Sequence, residues 1–179
     1  MSDANYGRKD TSPDGGRIDI TDEAEHPIYT FGFVKPHAYP RREEIMDDIW
    51  RLSEDRGSGL YVLNAKDDEI TPELAEKHYW VHRDRPFFRE LIQMVTGNVR
   101  SFVLTGKDAI PSFRALIGAT NPADAKPGTL RHKYGESERG VAYNAVHGSD
   151  SLRSLVTETE LHFSREELDP VVWERIDTY

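Results

Sequence analysis

Residues 28–65 read IYTFGFVKPHAYPRREEIMDDIWRLSEDRGSGLYVLNA, and this stretch decides the fold. Its first part, residues 28–34, is an apolar run rich in β-branched and aromatic residues, which predicts a buried strand. Over residues 43–55 the apolar residues recur at helical spacing, which predicts a helix. Residues 59–65 predict another strand. The stretch is therefore a strand, helix, strand unit.

The middle of the chain continues this alternation. The predicted elements are a helix capped by Thr71 with Pro72 at its first position, a helical segment over residues 85–95, a third strand over residues 99–106 and a helix capped by Asp108 that ends near Gly118. A Thr, Asp or Ser side chain before an apolar periodic run accepts a backbone N–H that the helix leaves unpaired.

The end of the chain predicts one more long helix. Ser149 and Asp150 are suitable N-caps for it, and the pattern then gives a fourth strand around Glu160–Phe163. Ser164 with Glu167 forms a capping box that opens a short closing helix. Together the elements predict an α+β fold, a ferredoxin-like sandwich with a four-stranded antiparallel sheet covered by helices.

The length and composition indicate one domain with an extra N-terminal segment. A chain of 179 residues suits a single domain. Residues 1–27 are rich in Asp, Gly, Ser and Pro and contain hardly any large apolar residue, which is typical of a flexible arm. We therefore expect an arm over 1–27 and a folded domain over 28–179.

The charge and residue usage exclude several classes of protein. The chain has no cysteine, which excludes disulfides and thiolate chemistry, and its 23 Lys and Arg against 32 Asp and Glu give a net charge of −9. Such a field repels nucleic acid and anionic lipid, so no specific nucleic acid and no membrane is expected as a partner. No apolar run has the length of a membrane span, and a cytoplasmic location is expected. A phosphate-bearing ligand would need a local group of cations.

His147 lies in the stretch NAVHGSDS at residues 144–151. A lone histidine is most often a core or surface residue. Here, however, the predicted helix follows directly, and the N-terminus of a helix favours an anion such as phosphate. A neutral imidazole facing a phosphoryl group can act as its nucleophile. His147 is therefore the candidate catalytic residue.

The segment before this histidine, residues 118–148, lacks clean periodicity. A loop of that length inside a compact domain is usually functional. No G-x-x-x-x-G-K-[ST] motif is present, so a phosphate would be held by side chains. Lys35, Arg114 and Arg131 are candidates, although each taken singly would be a solvated surface charge.

Two further features have both an ordinary and a functional interpretation. His78 and His82 are four residues apart on a predicted helix, but they lack the Glu of an H-E-x-x-H site, so a surface pair is expected rather than a metal site. Phe87 would normally be a core residue. Because it follows Arg85 and Pro86 at a helix start, its ring could instead stack on a nucleobase.

Several separated motifs occur in one order along the chain. They are VKP at 34–36, AEKHY at 75–79, RPFF at 85–88, LIGATNPADAKPGTLR at 116–131, NAVHGSDS at 144–151 and SREEL at 164–168. From about Tyr29 to the C-terminus the chain resembles the nucleoside diphosphate kinases, and the agreement of several motifs with nearly the family's spacing makes the resemblance specific.

The resemblance implies ping-pong transfer of a γ-phosphoryl group from a nucleoside triphosphate to a nucleoside diphosphate through a phosphohistidine. His147 corresponds to the nucleophile. The other implied roles are orientation of that histidine by Glu158, Tyr79 and Ser149, stacking on the base by Phe87 with Val141 opposite, sugar binding by Lys35 and Asn144, and phosphate binding by Arg114, Thr120 and Arg131. The implied ligands are ATP and other nucleotides, with Mg²⁺ carried by the nucleotide rather than by a metal site on the protein. A homo-oligomer is also implied.

The chain departs from the family at three points. His37 and Ala38 stand where Asp-Gly is usual, Tyr143 replaces an Arg, and residues 132–143 form a longer stretch than is common. These changes concern the rim of the nucleotide site. The alternative function is a noncatalytic nucleotide-binding or interaction module on the same fold, which the presence of His147 disfavours.

Overall fold

The computed structural model of the protein describes residues 28–179, so the predicted arm over residues 1–27 lies outside the described residues. The strands are β1 (Tyr29–Val34), β2 (Tyr61–Ile70), β3 (Gly97–Thr105) and β4 (Val146–Gly148). The helices are α1 (Arg42–Asp55), α2 (Pro72–His78), α3 (Phe88–Val95), α4 (Ala109–Ile117), α5 (Leu130–Tyr134), α6 (Leu152–His162) and α7 (Pro170–Ile176). None of the described helices is both long and apolar enough to cross a membrane.

The four strands form one antiparallel sheet in the order β2, β3, β1, β4. In the register of β1 with its neighbours, Phe31 lies opposite Val103 of β3 and Phe33 lies opposite His147 of β4. The predicted ferredoxin-like α+β fold is confirmed. The central strand β1 thus carries β4, and with it the candidate nucleophile, at its outer side.

Helices cover both faces of the sheet because β1 and β3 are apolar on both faces. One face packs Phe31 and Phe33 against residues of α2, α3, α6 and α7. The other packs Phe102 and Leu104 against α1, α4 and α5, with Phe113 of α4 meeting Phe102 edge to face at 5.6 Å between ring centroids. Each fully buried large apolar side chain contributes about 1.5–3 kcal/mol to folding.

Two glycines let these aromatic rings come close to the sheet. Gly32 of β1 and Gly148 of β4 lie opposite each other. A Cβ on Gly32 would lie 2.6 Å from a ring carbon of Phe102, and a Cβ on Gly148 would lie 2.8 Å from a ring carbon of Phe113. The rings occupy the space that side chains would need, which brings α4 close to the strand that carries His147.

The predicted fourth strand was misplaced. Residues around Glu160–Phe163 are the last turn of α6, and β4 is instead the three-residue segment Val146–Gly148. The buried positions of α6 include Glu158, Thr159 and His162, so the helix buries polar residues that an apolar pattern does not count. The short strand β4 has no pattern long enough to detect.

The caps are partly as predicted. Thr71 caps α2, its hydroxyl accepting from the Leu74 N–H at 3.2 Å. The cap of α6 is Ser151, not Ser149 or Asp150, since the Ser151 hydroxyl accepts from the N–H of Ser154.

Two other predicted helix starts differ in detail. Asp108 holds the N-cap position of α4 in a left-handed conformation, φ 49°, without a side-chain capping hydrogen bond. Glu167 accepts from the Ser164 N–H at 2.8 Å as the capping box requires, but the segment is only a turn, and the closing helix α7 is capped by Asp169.

Candidate active site

His147 projects from β4, the edge strand that precedes α6 in the chain. Its ring stacks on Phe33 with 4.8 Å between centroids and 20° between planes, and its side chain is 15% exposed. The apolar face of Phe33 therefore fixes the plane of the imidazole, and the remaining exposure leaves the ring open to a ligand.

A carboxylate and a hydroxyl fix the ring from the other side. Nε2 of His147 lies 3.0 Å from Oε2 of Glu158 on α6, and the Ser149 hydroxyl donates to the same oxygen at 2.6 Å. A carboxylate oxygen that accepts from Ser149 also accepts the imidazole proton, which places the proton on Nε2 and leaves the lone pair on Nδ1. The arrangement presents Nδ1 as the nucleophilic atom.

Burial and neighbouring cations keep the imidazole neutral. Burial lowers the pKa of His147 well below its ordinary value, and the positive charges of Lys35 and Arg131 lower it further. Burial raises the pKa of Glu158, while His78 and the hydrogen bond from Ser149 act in the opposite direction. A neutral ring retains the lone pair that a nucleophile needs.

His147 opens into a cavity of about 1060 Å³, large enough for a nucleotide. The predicted site residues that line it are Lys35, Tyr79, Phe87, Arg114, Thr120, Arg131, Val141, Asn144, His147 and Glu158. Ser149 does not line the cavity; it is completely buried and contacts the lining residue Glu158 through a hydrogen bond. Elements far apart in sequence therefore bring the predicted residues together.

Two of the cations are buried and held by backbone carbonyls. Lys35 donates to the Ala142 carbonyl at 3.0 Å, and burial, with a smaller effect from Arg131, lowers its pKa to about 7. Arg131 donates from Nε and Nη2 to the Val146 carbonyl at 3.1 and 3.0 Å and from Nη1 to the Gly118 carbonyl. Burial lowers the pKa of Arg131 to about 10, so it keeps its charge at neutral pH. The guanidinium is thus fixed to β4 itself.

Part of the cavity lining is apolar and exposed. Phe87 and Val141 are each about half exposed, at 50% and 51%. The Phe87 ring lies 5.9 Å from the ring of His82. Asn144, in contrast, is buried and donates to the Thr120 carbonyl at 2.9 Å. Exposed apolar side chains beside a cavity are suited to a planar apolar ligand group.

The residues that depart from the family support the rim. His37 accepts the Ala145 N–H at its Nε2, 3.2 Å away, and its ring meets Tyr143 edge on. Burial, followed by the charge of Lys35, lowers the pKa of His37 to about 4, which keeps this acceptor neutral. Ala145 has a left-handed backbone, φ 64°. The substitutions therefore place a hydrogen bond where the chain turns sharply into β4.

The longer stretch over residues 132–143 closes on itself. It contains the end of α5 and a 3-10 turn at Ser137–Arg139, and the Glu136 N–H donates to the Tyr143 carbonyl at 2.9 Å. The guanidinium of Arg139 covers the Tyr143 ring at 3.8 Å. The extra residues are accommodated at the surface, and Val141 and Asn144 still line the cavity.

The expectation for one histidine was wrong. His78 is not part of a surface pair, because it is buried at the end of α2, whereas His82 is half-buried. Nδ1 of His78 lies 3.1 Å from Nε2 of His162, and its Nε2 lies 3.6 Å from Oε1 of Glu158. Nδ1 of His162 faces Asp68 of β2 at 3.7 Å.

The sequence contained a faint signal for these missed residues. His162 follows Glu158 by one helical turn, and His78 follows the buried Ala75 by three residues. Each therefore lies on the inward face of its helix. Asp68 gave no signal, because it lies on a strand whose neighbouring positions are mostly polar or exposed.

One group of described residues has donors spaced for a metal ion. The nitrogen atoms of His78 and His147 and a carboxylate oxygen of Glu158 lie within 4.8 Å of one another. In this arrangement Oε2 of Glu158 already accepts from His147 and Ser149. Hydrogen bonding thus accounts for the contacts of this oxygen.

Comparisons with known proteins agree with this geometry. The sequence profile of the family described as nucleoside diphosphate kinase matches residues 29–168. The chain is 42% identical over 149 residues to a nucleoside diphosphate kinase of Archaeoglobus fulgidus, covering 83% of this chain and 93% of that one. It is 43% identical over 136 residues to one of Desulfovibrio desulfuricans, covering 75% and 93%.

Solved structures show the same likeness. A nucleoside diphosphate kinase from Encephalitozoon cuniculi superposes with a TM-score of 0.69 at 35% identity, covering 80% of this chain and 93% of that chain. A halophilic nucleoside diphosphate kinase from Halobacterium salinarum in complex with CDP gives 0.68 at 37% identity, covering 81% and 96%.

Proposed function

Because this chain belongs to the nucleoside diphosphate kinase family, we propose that His147 is the residue that carries the phosphoryl group between the two nucleotides. The chain is an enzyme that transfers phosphate from a nucleoside triphosphate to a nucleoside diphosphate. The observation that supports His147 is its hydrogen bond to Glu158 through Nε2, at 3.0 Å, inside a cavity lined by cations.

The reaction follows from this geometry in two balanced halves. The Nδ1 lone pair attacks the γ-phosphorus, the bond from that phosphorus to the β–γ bridging oxygen breaks, and the nucleoside diphosphate leaves with the electron pair. The imidazole ring is now positively charged. It keeps the proton on Nε2, which donates to Glu158, and the negative charge of this carboxylate stabilises the positive charge of the ring. A β-phosphate oxygen of the acceptor then attacks the phosphorus, and the electron pair returns to Nδ1.

The remaining lining residues divide between the two ends of the nucleotide. Arg114, Thr120 and Arg131 bind the phosphates, where positive charge stabilises the loose transition state. Lys35 and Asn144 bind the sugar hydroxyl. The base lies between Phe87 and Val141, since both are exposed beside the cavity. Tyr79 and Ser149 help to hold the histidine.

The nucleotide brings its own divalent metal, which we assign as Mg²⁺. The cations that line the cavity include Lys35, Arg114 and Arg131. These cations do not bind Mg²⁺, which prefers oxygen ligands and substrate phosphates. This supports a metal that arrives with the substrate.

We also propose a homo-oligomer in the cytoplasm, where the nucleotide substrates are made and used. Among the described strands, β2 pairs with β3 alone. It exposes Tyr61, Val62 and Leu63 at 61%, 41% and 44%. Exposed apolar side chains at the start of an edge strand form a surface that proteins normally cover, and a second copy of the chain would cover it.

The test of His147 is direct phosphorylation. Incubation with γ-labelled ATP and Mg²⁺ without acceptor should give an acid-labile, base-stable adduct, and His147→Ala should lose both adduct and turnover while keeping the fold. His132→Ala is the matched control, because His132 is exposed on α5 and is not among the cavity residues. Turnover by His147→Ala at the normal rate would refute the assignment. If the chain were a noncatalytic binding module, the wild type and His147→Ala would both bind nucleotide and neither would form an adduct.

A further inference from the structure

Two buried histidines separate two carboxylates behind the nucleophile. The order is Glu158, His78, His162, Asp68, with gaps of 3.6, 3.1 and 3.7 Å between facing polar atoms. The side chains of His78 and His162 are 1% and 0% exposed, whereas Asp68 is 24% exposed. The four residues come from α6, α2 and β2 and lie outside the chemistry proposed above, except for Glu158.

The number of protons in this row is constrained. Each of the three gaps is attractive only if it holds one proton, because two facing lone pairs repel. Two neutral imidazoles carry only two N–H protons, so one of the three contacts would have no proton between its facing atoms. With both carboxylates ionised, a third proton on the pair fills every gap and leaves a net charge of −1 for the row. The contact between the rings at 3.1 Å requires that one ring donates to the other.

We propose that His162 and Asp68 are positioning residues for phosphoryl transfer, an inference that rests on the proposed role of His147. Nε2 of His162 donates to Nδ1 of His78, and the N–H at Nδ1 of His162 faces the Asp68 carboxylate in an electrostatic contact of 3.7 Å that is too long for a hydrogen bond. His78 therefore has its proton on Nε2, pointing at Oε1 of Glu158. Oε2 of Glu158 accepts from His147 and Ser149, while Oε1 faces the His78 N–H at 3.6 Å, and this electrostatic contact favours the carboxylate in the orientation that keeps the His147 proton on Nε2.

The surroundings support this direction of donation. Burial lowers the pKa of His78 well below its ordinary value, with further lowering by the charges of His147, His162 and Lys35 and an opposing effect from Glu158. His78 is therefore the neutral ring of the pair. For Asp68, burial raises the pKa, but the contact with His162, the hydrogen bond from the Glu69 N–H and the charge of Lys66 outweigh burial and lower the pKa overall. Asp68 is thus an ionised acceptor at the outer end of the row.

The test combines kinetics with the tautomer of His78. His162→Phe keeps an apolar ring against Phe31, now 4.8 Å from the His162 ring, but removes both nitrogens. We expect phosphorylation of His147 in a single turnover to slow by about tenfold to hundredfold. The KM for ATP should stay unchanged, since His162 is not among the cavity residues. His162→Gln, whose amide can donate to His78, should recover part of the rate.

¹⁵N NMR supplies the readout that a purely structural role would not change. His78 should carry its proton on Nε2 in the wild type and lose that preference in His162→Phe. If this variant does not fold, Asp68→Ala, compared with Glu69→Ala at the neighbouring exposed position, tests the same row. Equal phosphorylation rates in Asp68→Ala or His162→Phe and in the wild type would overturn the proposal. Absence of any adduct in the wild type would instead refute His147 as the nucleophile.

Discussion

Some of the residues around the imidazole of His147 can be predicted from the sequence, and others cannot. Its own position was predicted from the motif that contains it, and Lys35, Arg114 and Arg131 were predicted as cations with it. The prediction of a surface position for His78 was wrong. The polar groups that allow this histidine to be buried, Glu158 and His162, belong to α6 and are far from it in sequence. The roles assigned to the cavity residues stay a prediction until they are tested by substitution.

At the residue scale, Phe87 should act on every base alike. Stacking uses the face of the ring system, which all nucleobases share, and contributes about 1–3 kcal/mol. Phe87→Ala should therefore raise the KM for ADP, GDP, CDP, UDP and TDP together, most for the purines, with kcat little changed. Val171→Ala, at a residue that is exposed on α7, is the control. Initial rates with the five diphosphates would disprove stacking if one base alone were affected.

At the element scale, the sequence predicted strands β1, β2 and β3 but misplaced β4. Continuous apolar runs identify β1 and β3, which are buried on both faces. β4 is three residues long, and its place in the sheet depends on pairing with β1. The predicted last helix is too short, since α6 continues to His162. Its buried residues Glu158 and His162 are polar, and the apolar pattern that predicts a helix does not count them. The errors in β4 and α6 thus fall on the elements that hold the nucleophile and its partner Glu158, where function overrides the ordinary pattern.

Gly32→Ala should separate β4 from β1. The new Cβ would lie 2.6 Å from the Phe102 ring and 2.7 Å from the carbonyl oxygen of His147, and backbone cannot move aside as a side chain can. We expect a loss of about 1–3 kcal/mol in the free energy of unfolding, with reduced kcat. Urea denaturation and a coupled assay measure the two effects.

Thr30→Val is the control on the same strand. Among the described residues the Thr30 hydroxyl is buried without a hydrogen-bond partner, so replacing it with a methyl group should be neutral or slightly stabilising. A Gly32→Ala enzyme as stable and active as this control would show that β4 is not held by close packing.

At the scale of the whole molecule, stability should fall in acid. Burial lowers the pKa values of His78 and His147, so below about pH 6.5 the unfolded chain binds protons that the folded chain does not. The stabilisation is present above that pH and is lost as the pH falls toward the folded pKa values, by up to about 1.4 kcal/mol per pH unit for each ring. Glu158, with its raised pKa, opposes this change in part.

Urea denaturation at pH 7.5, 6.5 and 5.5 and constant protein concentration measures this slope. His78→Leu should flatten it, and His132→Ala should not. Equal stability of the wild type at the highest and lowest of these pH values would contradict the expectation.

Lys35, with its pKa near 7, adds a rise in stability between about pH 7 and 10.5, because the lysine of the unfolded chain keeps its proton to a higher pH than the folded one does.

The exposed edge of β2 predicts the assembly. Leu63→Glu places a charge on the apolar patch and should shift the protein to smaller species in sedimentation velocity. Glu160→Gln, at an exposed site on α6, serves as the control. An unchanged sedimentation coefficient in Leu63→Glu would exclude this edge as the interface.

The division into an arm over residues 1–27 and a domain over 28–179 stays a prediction.

The cavity above His147 has a kinetic consequence. One nucleophile and one group of phosphate-binding cations must receive donor and acceptor in turn, so the two nucleotides are mutually exclusive. Initial-rate plots at several fixed acceptor concentrations should therefore give parallel double-reciprocal lines. Excess nucleoside diphosphate should also occupy the unphosphorylated enzyme in a dead-end complex, slowing the reaction competitively with ATP. The flux through the enzyme would then respond to the ratio of triphosphates to diphosphates rather than to either concentration alone.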